Sequence, residues 1–534
     1  MPTAVELAST ILLRGRYSLA SVPRLVEEVA QREQALNGRL VPLSTSDGGL
    51  QWESKVCRSA SDLLHAMQWS AGLTGGLGPI PLLKARQEFF ESLHTTVYSV
   101  SLVVQARREV AAMTCEAVAL KPEVAVPSDG TALDRFVDTY GDSWVRSVVL
   151  GGQMQGIYTL YAQSREQARE VATALDLLLS TSTVSLGPSF GQTVKTIAKD
   201  AKVNVSCRLS VSGLAQPPVI TEDSMAAFAS SFGTLALDNP VVLSLQTQGY
   251  EKVAELHEVF QPVARNRILL NGQGLEPDPS WQGGKPGLRR QWQRLRELVN
   301  QCDWVKDTYK AYGIPQDPSL AKNRQRLMDD CREIEVLCGA YQASPSTPLA
   351  EPVLDAFATG SPRLQAQVRD GETMGGRGGE PFPYEDRENA LRRRRRLVQV
   401  GLRAGRRIDQ IQLRYHQEPV GEPDEWIHAS HGGEGGSNLV ALELGTGVGI
   451  QRIHAQSGVP NGRVDALELI TSDGQRRQGG RPYPGDTELD WQAAPNQVLL
   501  GFSGRSKAEL DSLTAVIATF APLAWEEVSL EEDP

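Results

Sequence analysis

Polar and apolar residues alternate without a break over residues 202–211, Lys-Val-Asn-Val-Ser-Cys-Arg-Leu-Ser-Val. Val203, Val205, Cys207, Leu209 and Val211 share one side, a period that predicts a half-buried strand. Just upstream the period changes. Val194, Ile197, Ala198 and Ala201 recur at helical spacing, so a short helix is expected to run straight into the strand. The same succession occurs earlier. Residues 60–93 carry helical patterning interrupted between Gly72 and Pro81, and Thr95 to Gln105 then turns strand-like, with Val97, Tyr98, Val100, Leu102, Val103 and Val104. Residues 180–187, Ser-Thr-Ser-Thr-Val-Ser-Leu-Gly, carry no charge. Beyond residue 286, Leu288, Trp292, Leu295, Leu298, Val299 and Cys302 line one helix face. Gly313 and Pro315 break it, and Leu327, Cys331, Ile334, Leu337, Cys338 and Tyr341 line a second. A helical hairpin over 286–342, packed at the end of a first domain (1–345), is the expectation. Ala343 to Pro352 is proline-rich and predicts a linker over 343–364. Glycines and short alternating strands then predict an all-β module over 365–524, with an acidic tail over 525–534.

A chain of 534 residues is too long for one core, so about two or three domains are expected. The net charge of -10 argues against nucleic acid as a partner. No run of ~18 apolar residues is present, so no transmembrane helix is expected, and any membrane role must fall to a segment that is soluble first. The N-terminus, with Glu6 and a short apolar patch at Ile11 to Leu13, is a poor secretory signal. The expectation is release as a soluble protein, by secretion, lysis or a non-standard route. The cysteines, Cys57, Cys115, Cys207, Cys302, Cys331 and Cys338, form no CxxC pair. Buried free thiols are expected, with a bridge from Cys302 to Cys331 or Cys338 as the alternative. No metal site, cofactor or enzyme constellation is apparent; His416, His428, His431 and His454 all fall in the C-terminal module.

Residues 136–152 read FVDTYGDSWVRSVVLGG. They resemble the signature of the membrane attack complex/perforin (MACPF) superfamily, in which an aromatic-glycine start precedes a double glycine. Tyr140, Gly141, Trp144, Gly151 and Gly152 match; Asp142 and Ser143 depart, standing where Thr or Ser and then His are usual. The resemblance covers residues 1–345 and implies an α+β body: a bent antiparallel sheet of the MACPF and cholesterol-dependent cytolysin type, with flanking helical clusters that unfurl into membrane β-hairpins. Residues 60–93 and 165–201 stand in those positions. A double glycine tolerates a bend and close packing.

Residues 365–523 resemble a jacalin-like lectin, which implies a β-prism I fold of three Greek-key sheets. The landmarks are Gly375-Gly376-Arg377-Gly378-Gly379 followed by Pro381 and Phe382, the strand Ile408 to Tyr415, the run His431 to Gly436, and Gly501 to Leu513. The family's sugar site carries over to Gly375, Gly376 and the loop Lys507-Ala508-Glu509-Leu510-Asp511, with Asp511 accepting vicinal hydroxyls and Ser457 to Pro460, Val459 included, as a third wall. Lys507 stands where the family has glycine: a need for positive φ or a narrow approach there would close the site, and the alternative is that the lysine reaches an acidic sugar or a lipid phosphate. Gly432, Gly433, Gly435 and Gly436 form a candidate second glycan loop, otherwise a structural turn. The arginine run 392–396 is either a dock for anionic headgroups or, more simply, a solvated loop or strand edge.

The resulting expectation is a pore former, similar in build to bacterial insecticidal MACPF toxins. Its partners would be target membrane lipids, a surface glycan or glycoprotein receptor, and copies of itself, as soluble monomer and then as ring. The alternative is a non-lytic carbohydrate-binding protein or adhesin on the same scaffold; a cytosolic structural protein has little support.

Overall fold

The computed structural model of the chain describes residues 3–17, 32–43, 51–59, 62, 63, 66, 93, 95–181, 190–216, 218–221, 225, 228, 229, 231–271, 287–354, 360–384, 387, 390, 391, 393–418, 425–437, 439–458 and 462–528. Most of the expected helical cluster at 60–93, the uncharged stretch beyond Thr181, Arg392, Val459 and Pro460 lie outside the described residues.

The N-terminal half is built on one seven-stranded antiparallel sheet. Its strands are β1 (Gly15–Arg16), β2 (Leu36–Pro42), β3 (Gln51–Cys57), β4 (Ser99–Leu120), β5 (Ser143–Tyr161), β6 (Asn204–Ser212) and β7 (Val241–Gly249). The central pair, β4 and β5, runs for 22 and 19 residues. Val100, Leu102, Val104 and Ala106 face the main core, whereas Val103 points the other way and joins Cys57, Leu63, Ala66, Leu93 and Ile157 in a smaller cluster. Both faces are covered there, which explains the nearly unbroken apolar run of this strand.

The outer rows of this sheet change strands halfway. β3 lies against residues 101–107 of β4 and β2 against 113–120. On the other side, β6 lies against 153–161 of β5 and β7 against 143–151. Between the halves, the β4–β5 register slips at Glu109/Ala111, opposite Gly151 and Leu150 and one residue from Gly152.

Helix α1 (Ala4–Ile11) is closed by a capping box of Thr3 and Glu6, and α2 is Gly130–Tyr140. Helices α3 (Arg165–Thr181) and α4 (Phe190–Asp200) join neighbouring strands β5 and β6. Ala168, Val171, Ala172 and Leu175 of α3, with Phe190, Val194 and Ala198 of α4, are buried at helical spacing. Then follow α5 (Gln261–Asn271), α6 (Leu288–Tyr312) and α7 (Pro318–Ala343). Gly313, at φ 67°, ends α6, and Asp317 caps α7. Cys115, Cys302, Cys331 and Cys338 are buried free thiols, so the alternative of a bridge from Cys302 to Cys331 or Cys338 is overturned. Cys57 is buried too, whereas Cys207 in β6 is half-buried; burial pushes Cys302, Cys331 and Cys338 of the packed helices α6 and α7 up to about 12. Among the described residues no helix is long and apolar enough to cross a membrane.

The C-terminal half contains three four-stranded antiparallel sheets. The first comprises β9 (Ala366–Gly375), β10 (Glu380–Phe382), β19 (Gln497–Ser506) and β20 (Leu510–Phe520). The second comprises β11 (Arg396–Ala404), β12 (Ile408–Gln417), β13 (Glu425–Gly432) and β14 (Val440–Glu443). The third comprises β15 (Ile450–Ser457), β16 (Val464–Thr471), β17 (Arg476–Gly480) and β18 (Thr487–Gln492). Each touches the other two, making a three-sided prism.

The stretch expected as linker is docked at its start: Asn266 of α5 donates to the carbonyls of Pro345 and Thr347 at 2.9 and 2.7 Å, and Asp134 of α2 holds Ser344 and Ser346. Its later part contains β8 (Ser361–Arg363), paired with β21 (Ala524–Glu526), which extends into the expected tail. The helical hairpin lies between the halves. Tyr312 hydroxyl donates to the carbonyls of Ala390 and Arg395 at 3.3 and 3.2 Å, and Tyr309 and Tyr312 pack on Phe520. The arginine run serves this junction: Arg395 and Arg396 are 6% and 8% exposed, Arg395 lies over the rings of Tyr384 and Tyr415, and Arg396 pairs with Glu418. Neither a headgroup dock nor a solvated loop describes these residues, because aromatic faces and a carboxylate hold them inward.

Candidate functional site

At one end of the prism, Gly375 finishes β9 beside Asp511, near the start of β20. Gly375 has φ 101°, and a Cβ on it would lie 2.3 Å from the Asp511 carbonyl oxygen, so no side chain fits. Gly376 N–H donates to that carbonyl at 2.8 Å. The chain then wraps round the carboxylate: a Cβ on Gly378 would lie 2.4 Å from Asp511 Oδ1, and one on Gly379 2.5 Å from Oδ2. Arg505 pins the wrapping loop by donating to the carbonyls of Gly378 and Gly379, both at 2.8 Å. The turn from Ser506 to Asp511 is closed by Lys507 N–H on Glu509 carbonyl at 3.1 Å. Lys507 is exposed and is not among the non-glycine residues with positive φ, so its backbone asks for no glycine.

The second sheet repeats this arrangement. Gly432, at φ 110°, places a notional Cβ 2.1 Å from the Asp409 carbonyl, and Gly433 N–H donates to that carbonyl at 2.9 Å. Gly435 and Gly436 each approach a carboxylate oxygen of Asp409 with a notional Cβ at 2.4 Å. Gly405 N–H donates to Asp409 Oδ2 at 2.7 Å. The third sheet has the backbone motif only: Gly480 abuts Asp465 carbonyl and Arg481 N–H donates to it at 3.0 Å, but Arg407 Nε donates to the Asp465 carboxylate at 2.7 Å.

The first two cradles touch. His431, preceding Gly432, stacks on Phe382 with centroids 4.0 Å apart, and burial lowers its pKa. A Cβ on Gly433 would lie 2.5 Å from Ala508 carbonyl. Glu509 pairs with Arg463, which also reaches Asp511 at 3.6 Å, and with Arg407 at 3.5 Å. Among the described residues no cluster of metal-ligating side chains is present.

Residues 371–516 match the jacalin-like lectin domain family. This part of the chain is a jacalin-like lectin domain. Solved structures similar to it include the mannose-binding jacalin-related lectin of Ananas comosus, 19% identical over 28% of this chain and 96% of that one, TM-score 0.24. Malaysian banana lectin is 22% identical over 29% of this chain and 99% of that one, TM-score 0.23. Frutapin from Artocarpus incisa is 16% identical over 28% of this chain and 97% of that one, TM-score 0.23. No curated protein matches the chain.

Within the jacalin-like domain, Gly375, Gly376, Lys507, Ala508, Glu509, Leu510 and Asp511 come together, Leu510 as a buried core residue. Gly432, Gly433, Gly435 and Gly436 enclose Asp409 and also abut the first loop. Ser457 is 4% exposed inside the third sheet, and Arg463 lies beside Asp511. Gly405 and Asp409 were missed by sequence reasoning. The signal was present: Gly405-Arg406-Arg407-Ile408-Asp409 has the spacing of Lys507 to Asp511, with the glycine the family uses.

In the N-terminal half, Tyr140 ends α2 and Gly141, at φ 80°, caps it, with a notional Cβ 2.0 Å from Arg16 carbonyl. Trp144 is buried in β5. A Cβ on Gly151 would lie 2.0 Å from Arg108 carbonyl, and one on Gly152 2.6 Å from Leu237 Cδ2. Asp142 is fully buried: it accepts from the Tyr341 hydroxyl of α7 at 2.7 Å, and its carbonyl accepts from Arg267 of α5 at 3.0 Å. Arg267 pairs with Glu251 at 2.6 Å, in space left by Gly249, so β5 is tied to both helices.

Proposed function

We propose that the jacalin-like domain binds a surface glycan through two adjacent sites, centred on Asp409 and Asp511, and that the N-terminal body then perforates the membrane beneath. The carrying observation is the duplicated cradle. In each, glycines clear the approach to an aspartate carboxylate at a strand end, where it can accept vicinal hydroxyls of a sugar. Gly405 makes the Asp409 site the less obstructed.

The pore reading rests on the body's resemblance to the MACPF family and on its connectivity. Helices α3 and α4 link β5 to its neighbour β6, so straightening them would lengthen a pair of antiparallel strands without exposing backbone groups. Copies gathered on the surface would contribute such pairs to one barrel, and the ring is the oligomer expected there. The protein is released as a soluble monomer, and membrane lipids complete its partners. One observation favours the non-lytic alternative: Asp142, which departs from the family pattern, ties β5 to α7 and α5.

Dye release from liposomes, with and without surface polysaccharide, tests both parts. Glycan-dependent release, abolished by an engineered disulfide joining α3 to β4 and restored by reductant, is the expected result. Binding without release across lipid mixtures would leave a non-lytic lectin. Asp409→Asn should weaken glycan binding by about tenfold or more, since it removes a charge-assisted acceptor.

A further inference from the structure

The loop end of the jacalin-like domain gathers exposed cations around the two cradle carboxylates. The chain has a net charge of -10, yet Arg377, Arg406, Arg407, Arg463, Arg481 and Lys507 are exposed around the two cradles. Arg407 and Arg463 are neutralised by Asp465, Glu509 and Asp511. Among the described residues no ion pair involves Arg377, Arg406, Arg481 or Lys507. Their positions are systematic. Arg377 is the central residue of the glycine loop round Asp511, and Lys507 heads the opposing turn. Arg406 lies in the turn leading to Asp409, and Arg481 N–H donates to Arg406 carbonyl at 3.1 Å, so the last two cations are neighbours. Two exposed carboxylates also stand beside the sites: Glu434, in the glycine loop round Asp409, and Glu380, which follows Gly379 and pairs with Ser506.

A neutral sugar needs hydroxyl acceptors and room, which Asp409, Asp511 and the glycines provide. It gives no role to four cations on an acidic protein. An anionic headgroup alone would face the carboxylates at the centre of each cradle. A ligand that alternates hydroxyls with acid groups satisfies both sets. We infer that this end takes an anionic glycan carrying sulfate ester or uronate groups, with hydroxyls on Asp409 and Asp511 and acid groups on Arg377, Arg406, Arg481 and Lys507. The inference rests on the glycan reading above and names the class of its ligand.

The test uses the full chain with mannan and chemically sulfated mannan as a matched pair. Sulfated mannan should bind about tenfold or more tightly than mannan, and raising salt from about 50 to about 500 mM should remove most of that preference. Replacing the four cations together (Arg377→Gln, Arg406→Gln, Arg481→Gln, Lys507→Gln) should remove the preference for sulfated mannan, with an unchanged melting temperature reporting a folded domain. Asp409→Asn with Asp511→Asn should weaken both polymers. Equal binding of the two by the native chain would overturn the inference and leave the glycan reading standing. So would sulfated binding untouched by loss of both aspartates, since that is unspecific polyanion attraction. Binding of neither polymer overturns both, and capture by anionic vesicles without glycan would then assign the cations to lipid.

Discussion

Gly151 and Gly152 adjoin in sequence but differ in what excludes a side chain. A methyl at 151 would lie 2.0 Å from the backbone oxygen of Arg108, which the β4 ladder holds in place; at 152 its nearest neighbour is a leucine methyl, which can rotate away, with the Ser212 backbone oxygen at 3.0 Å. Gly151→Ala should therefore cost ~1–3 kcal/mol and Gly152→Ala clearly less, measured by denaturant unfolding. His431 gives a pH prediction. Its pKa is lowered from 6.5 by burial, so the fold favours the neutral ring; that stability is complete above pH 6.5 and is lost as pH falls through the lowered value. The melting temperature of the jacalin-like domain should drop on acidification through this window, and His431→Gln should flatten the drop. Asp473 and Asp490, held below 3.8 by hydrogen bonds from Thr471 and Arg452, act only in stronger acid. Individual glycines were legible in the sequence as motifs, but the partner of Gly435 and Gly436 was not. Asp409 reads as part of the alternation beginning β12, and its carboxylate is enclosed only where the fold brings the glycines over it.

Among the elements, α7 is joined by a buried hydrogen bond from Tyr341 to Asp142, the residue that leads into β5. Tyr341→Phe keeps the ring and deletes the donor, so the body should lose ~2 kcal/mol, read from the shift in its unfolding midpoint. An unchanged midpoint would mean that the contact does not bind the helix to the sheet. The hairpin α6–α7 was legible because each helix buries one face, and β6 was legible from its alternation, although its apolar residues are half-buried on packing against the core. Strand β4 was legible only to Gln105. Beyond it Arg107, Arg108 and Glu109 interrupt the alternation, yet the strand continues: Arg107 pairs with Glu109 at 3.3 Å, and β5 supplies backbone partners across the register slip. The arginines at 393–396 misled for the same reason, since aromatic faces distant in sequence hold Arg395 inward.

For the whole molecule, the junction predicts cooperative behaviour. Tyr312 is buried between the helices and the jacalin-like domain, and Tyr312→Ala should cost ~3–5 kcal/mol at that interface. Calorimetry should then resolve two melting transitions where the native chain shows coupled melting; one undivided transition in the variant would contradict the coupling. The mixture of helix and strand and the β-rich C-terminal region were legible from period and composition. The docking of the expected linker was not, because proline-rich sequence says nothing of the Asn266 and Asp134 side chains that grip it.

That junction has a consequence for how the molecule would meet a surface. A lectin on a loose tether acts as a mooring line: it keeps the cargo near and leaves its heading free. Here Tyr312, Phe520, Arg395 and Trp525 bolt the lectin to the helices that also hold the sheet. Capture of a glycan would therefore act as a compass as well, setting which edge of the body turns toward the surface.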